Sequence, residues 1–100
     1  MLVDLVGQIV KSDLATEPKL TTTGSWVYTT AMAQDGHELL LDVWSATQPH
    51  KTPVLKESYF FEGVKITRPD KSKPESVKAR IDLAKGAIRV HAPKARRQWS

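Results

Sequence analysis

The dipeptide Asp35-Gly36 stands between two runs, Trp26–Ala33 and Glu38–Ser45, that are rich in aromatic, β-branched and aliphatic residues. Asp-Gly between such runs is a hairpin signal, because both turn residues tolerate a positive φ that other side chains resist. The loop length then decides which side chains meet. Side chains alternate across a strand, so a slip of one residue exchanges the two faces. A two-residue loop pairs positions that sum to 71, and a three-residue loop over 35–37 pairs positions that sum to 72. The longer loop is the expectation here. It collects Val27, Ala31, Leu39, Leu41 and Val43 on one face as core. Trp26, Tyr28, Thr30, Leu40, Asp42 and Trp44 then share the other, with the charge of Asp42 in water.

The rest of the chain repeats the strand pattern. Leu2–Val10 alternates through Val3, Leu5, Gly7 and Ile9, with Gly7 marking a bend. Ser58–Thr67 is a further strand, bulged at Gly63, which leaves the facing of Tyr59, Phe60 and Phe61 open. Val77–Leu83 points Val77, Ala79, Ile81 and Leu83 inward and Lys78, Arg80 and Asp82 outward. Ala87–His91 adds a short strand with Ile88 and Val90 inward. Lys11–Ser25 and Arg68–Ser76 read as long loops on their Pro, Gly and charged residues. Ala46–Glu57, with Pro49 and Pro53, leaves room for at most one helical turn.

One hundred residues hold one domain, expected over 1–93, with a basic tail over 94–100 expected to be disordered. No apolar run nears the ~20 residues of a membrane span, and Met1–Gly7 has no secretory pattern. With no cysteine there are no disulfides or thiolate metal sites, which fits an intracellular protein. Charge is unevenly placed. Residues 1–50 carry two basic and six acidic side chains, whereas residues 51–100 carry thirteen and five. A basic half suits an anionic partner, since Lys and Arg bound to phosphate release condensed counterions. A merely solvated surface fits the same charges.

These strands and long loops match the order and spacing of an OB-fold, an all-β Greek-key barrel of five to six strands. The run from Trp26 to Ser45 resembles the strand 2–turn–strand 3 unit of OB domains in replication protein A and related single-stranded-DNA-binding proteins. Ser58–Thr67 is similar to their fourth strand. The resemblance covers about residues 5–92. It implies a ligand on the outer face of the second and third strands, with Trp44 matching the aromatic that stacks on a base. Residues 62–90 contain no Phe, Tyr or Trp, so the family's second stacking aromatic has no counterpart.

The candidate nucleic-acid-binding set is therefore Trp26, Tyr28 and Trp44 for stacking. Lys65, Arg68, Lys71, Lys73, Lys78 and Arg80 would contact phosphates. Either tryptophan could instead belong to the core, and Tyr28 could cap the barrel through its hydroxyl. Trp99, in the tail, is a partner anchor or a frayed residue.

Catalysis is not expected. His37, His50 and His91 fall in a turn, a loop and a strand end without metal-ligand spacing, and no nucleophile–base set converges. No cofactor is expected either. The expected role is a non-enzymatic binder of single-stranded DNA in replication, recombination or repair. An adaptor that binds protein and an RNA-binding version of the same barrel are the alternatives. A homodimer or a protein partner would use an edge strand or the basic tail.

Overall fold

The computed structural model describes residues 2–68, 70–73 and 77–91. Within them the strands are β1 (Leu2–Ile9), β2 (Lys19–Leu20), β3 (Trp26–Gln34), β4 (His37–Ser45), β5 (Ser58–Thr67), β6 (Lys78–Asp82) and β7 (Ala87–Val90), and no helix occurs. The expected tail, residues 94–100, lies outside the described residues.

Five strands close on themselves in the order β1-β3-β4-β6-β5, with β5 returning to β1. The β4–β6 pair is parallel and the other pairs are antiparallel. β2 adds to the start of β3, and β7 continues along β5 beyond the end of β6. Closure removes the edges that an open sheet of this size would expose. Residues 46–57, expected to hold at most one helical turn, form an irregular strap without one. It is tied to β1 by Lys56 N donating to Ile9 O and Ile9 N donating to Glu57 O (2.8 and 2.9 Å).

The hairpin between β3 and β4 takes the two-residue loop, which corrects the longer loop expected from the sequence. Trp26 pairs with Ser45, Tyr28 with Val43, and Gln34 with His37. Asp35 itself adopts φ 52° beside Gly36 at φ 80°, so both central residues are left-handed. That is the turn whose twist matches the flanking strands. Packing favours the same choice. Tyr28 (3% exposed) and Met32 (0%) fill the barrel opposite Val43 and Leu39, a volume that Val27 and Ala31 could not supply. The inward facing of Leu39, Leu41 and Val43 holds. Trp26, Tyr28 and Thr30 turn to their side of the sheet, while Val27 and Ala31 turn away.

The core comprises Ile9, Tyr28, Met32, Leu41, Val43, Tyr59, Phe61, Val64, Ala79 and Ile81. Gly63 (φ 76°) makes the bulge in β5, its amide donating to Asp4 Oδ1 at 3.1 Å. The bulge keeps both Phe61 and Val64 inward although three positions separate them, and it leaves Phe60 on the outer side opposite Val6. Val90 departs from its expected inward burial. It shares the face of Tyr59 but lies past the rim and is 70% exposed.

Candidate nucleic-acid interface

The register fixes what the outer surface of the barrel displays. Directly paired residues share a face. One row therefore runs Lys19, Val27, Trp44, Asp82 across β2, β3, β4 and β6. The next runs Thr29, Asp42, Arg80, Lys65, Leu2 across β3, β4, β6, β5 and β1. Lys78, opposite Thr67, stands one step further along β6. Strand pairing thus brings Trp44, Lys65, Lys78 and Arg80 onto one outward surface from three separate chain segments.

Trp44 is half-buried, and the guanidinium of Arg80 lies over its ring, 4.2 Å from the centroid. Asp42, the neighbour of Arg80 on β4, is engaged elsewhere: Thr29 Oγ1 donates to Asp42 Oδ1 at 2.7 Å. Arg80 is left to stack, and its planar cation suits the negative face of the indole. The indole Nε1–H of Trp44 is buried without an acceptor among the described residues. Such orphaned donors are rare in native interiors.

The other expected stacking residues do not join this surface. Tyr28 is in the core, where burial, and secondarily the nearby Tyr59, pushes its hydroxyl up to about 12. Trp26 is half-buried on the inner side of the sheet, at its end and beside Leu20 of β2. The register correction is the cause: Trp26 and Trp44 have opposite facing. The platform of three aromatics reduces to Trp44 alone, with Phe60 half-buried elsewhere on the outer surface beside Arg89. Arg89 is occupied by Glu62 at 2.6 Å.

The basic loop residues are also dispersed. Arg68 borders a cleft at the β3–β4 turn with Asp35, His37 and Glu38, at the far end of β4 from Trp44. Lys71 and Lys73 are exposed in a turn organised by Asp70. Its Oδ1 accepts from Ser72 N and Ser72 Oγ (3.0 and 2.6 Å), and those bonds hold the carboxyl below its usual range.

Two cations that border this surface were not in the expected set: Lys19 lies across Val27 from Trp44, and Lys85 lies in the turn beyond Asp82. Lys19 enters through the two-residue strand β2, too short to leave a periodic signal. Lys85 belongs to the turn after β6 and lines a cleft of about 520 Å³ with Leu2, Gly63, Lys65, Arg80 and Asp82. No group of three or more His, Asp or Glu side chains among the described residues stands close enough to hold a metal ion. No described helix is long and apolar enough to cross a membrane.

No protein-family model matches the sequence, and no curated protein does. Among solved structures, the chain is similar to the OB domain of Ta0387 from Thermoplasma acidophilum, determined in solution by NMR. The two superpose with a TM-score of 0.61 at 9% identity, over 90% of this chain and 74% of that one. At that identity the likeness speaks for the fold alone. Together with the closed order β1-β3-β4-β6-β5, it shows that this chain has the OB-fold expected of it.

Proposed function

We propose that this domain binds single-stranded nucleic acid, with single-stranded DNA the leading ligand, and that it does so inside the cell without catalysing a reaction. The observation that carries the reading is the Arg80–Trp44 stack set among Lys65 and Lys78 on one exposed barrel face. A base has a π-face for Trp44 or for the guanidinium plane, and the flanking ammonium groups meet phosphates. Replication, recombination or repair is the role we propose for such a binder.

Tryptophan fluorescence titrated with oligo(dT), oligo(U) and duplex DNA at several salt concentrations tests it. The proposal expects quenching, preference for oligo(dT) over duplex, and affinity that falls as salt rises. Tighter binding of oligo(U) would reassign the ligand to RNA. Unchanged fluorescence together with no gel shift for any of the three would reject the reading.

The adaptor reading has one observation of its own. Val54 (57% exposed) and Val90 (70%) flank a cleft above Tyr28 and Tyr59, beside a β7 that pairs only with β5 among the described residues. An edge and an apolar cleft together suit an added peptide strand.

A further inference from the structure

The cleft that Lys85 lines continues the Trp44 surface across β6 and β5, and its turn is closely built. Asp82 organises the turn from β6 into β7: its backbone oxygen accepts from Lys85 N and Gly86 N (2.9 and 2.8 Å), and its Oδ1 accepts from Ala84 N (3.0 Å). Gly86 then packs on the bulge of β5. A Cβ on Gly86 would collide with the backbone oxygen of Glu62, and a Cβ on Gly63 would come 3.2 Å from Gly86 Cα. The close approach of two glycines clamps the turn to β5 and sets Lys85 beside Lys65 and Arg80.

The charges in this cleft differ from those of an ordinary basic surface. Among the described residues that line it, Lys65, Arg80 and Lys85 meet one carboxylate, that of Asp82, which is turned to the Ala84 amide, so the lining carries two net positive charges. Asp4 borders it, with its Oδ1 accepting from Gly63 N at 3.1 Å. Leu2, the neighbour of Lys65 on β1, is 61% exposed and apolar. A phosphomonoester carries about −1.5 to −2 at neutral pH and offers three acceptor oxygens. An internal phosphodiester carries only one charge. Arg80 belongs to both places: it covers the Trp44 ring and lines the cleft. A base at the stack and a phosphate in the cleft would thus both meet Arg80.

We propose that this cleft binds the terminal phosphomonoester of a nucleic-acid strand, so that the domain recognises a phosphorylated strand end. The inference rests on the nucleic-acid reading of the Trp44 surface and names the part of the ligand that the cleft takes. Lys65, Arg80 and Lys85 ligate the phosphate, while Leu2 packs against the terminal sugar.

The test compares oligo(dT) carrying a 5′-phosphate, a 3′-phosphate or neither, at fixed salt, with wild type, Lys85→Ala and Lys85→Arg. One phosphorylated form is expected to bind roughly five-fold or more tightly than the unphosphorylated one, the scale of a favourable exposed ion pair. Lys85→Ala should abolish that preference, and Lys85→Arg should restore it. Inorganic phosphate should compete with the phosphorylated oligomer at millimolar concentration and leave the other untouched. Equal binding of all three oligomers overturns the terminal-phosphate proposal alone, as does a preference that survives Lys85→Ala. Failure of every oligomer to bind rejects the nucleic-acid reading and this inference with it.

Discussion

The guanidinium of Arg80 lies 4.2 Å from the centroid of the Trp44 ring rather than against Asp42, its direct neighbour on β4. Thr29 holds Asp42 by a 2.7 Å hydrogen bond, which leaves the cation over the indole. A ligand base must therefore stack on the guanidinium or displace it, and either way both residues contribute. Trp44→Ala is expected to weaken binding of oligo(dT) by ~1–3 kcal/mol, roughly five-fold to 150-fold. Arg80→Lys should lose much of the same energy, because an ammonium keeps the charge but not the plane. Both variants should remain folded in thermal melts, since the two side chains sit on the outer surface. If Arg80→Lys binds as well as wild type, Arg80 acts only as a point charge and the stacking account is wrong.

Cations on this surface and cations in the β5–β6 loop make opposite predictions for salt dependence. A ligand that crosses β4, β6 and β5 meets Lys65 and Lys78 but not Arg68, which lies at the β3–β4 turn beside Asp35 and Glu38. Lys65→Ala and Lys78→Ala should each reduce the slope of log affinity against log salt by about 0.7, the value for one phosphate contact on a single strand. Arg68→Ala should leave the slope alone. A reduced slope for Arg68→Ala, with none for Lys65→Ala, would move the ligand to the loop side of the barrel.

The hairpin turn carries a prediction about stability. Asp35 has φ 52° and Gly36 has φ 80°, so the two-residue turn needs a left-handed conformation at both positions. Asn tolerates that region at least as well as Asp, whereas a β-branched side chain there is a steric outlier. Asp35→Asn should be neutral or slightly stabilising in urea titrations, and Asp35→Val should cost about 1–2 kcal/mol. Equal stability of the two variants would mean that the turn relaxes to another loop length.

How much of this was legible in the sequence depended on the physics behind each feature. Alternation in the strands of the barrel and the bulge at Gly63 were readable because burial on one face imposes a period of two. The hairpin register was not. Both registers leave Leu39, Leu41 and Val43 inside, so β4 alone could not decide between them. The decision came from volume across the barrel, where Tyr28 and Met32 are needed to fill space that only the closed fold defines. Reading Asp42 as a reason to send Tyr28 outward failed because Asp42 is on the outer face in either register. The aromatic surface inherited that error: Trp44 stands outside, Tyr28 does not, and Trp26 faces the other way. The cationic side of the surface was more visible, since Lys65, Lys78 and Arg80 alternate with buried Val64, Ala79 and Ile81. Lys19 and Lys85 were hidden because a two-residue strand and a tight turn leave no periodic signature.

Tyr28 offers a test of the core that does not depend on any ligand. Its hydroxyl is pushed up to about 12 from an ordinary value of 10.0, mainly because burial disfavours the phenolate and secondarily because of Tyr59. Below the unfolded value, the native and unfolded chains both hold the proton and the full stability is present. As pH rises through the interval up to about 12, the unfolded chain releases a proton that folded Tyr28 still keeps. Unfolding is then favoured, and stability falls across that window. Lysines titrate in the same range, so the informative quantity is the difference from Tyr28→Phe, which keeps the ring in the core and removes the titration. Urea unfolding of both proteins between about pH 8 and 12 should show the wild type losing stability relative to the variant only in the upper part of that range. A constant difference across the whole interval would mean that Tyr28 ionises as readily in the fold as in the unfolded chain. That outcome would contradict its place opposite Val43 inside the barrel.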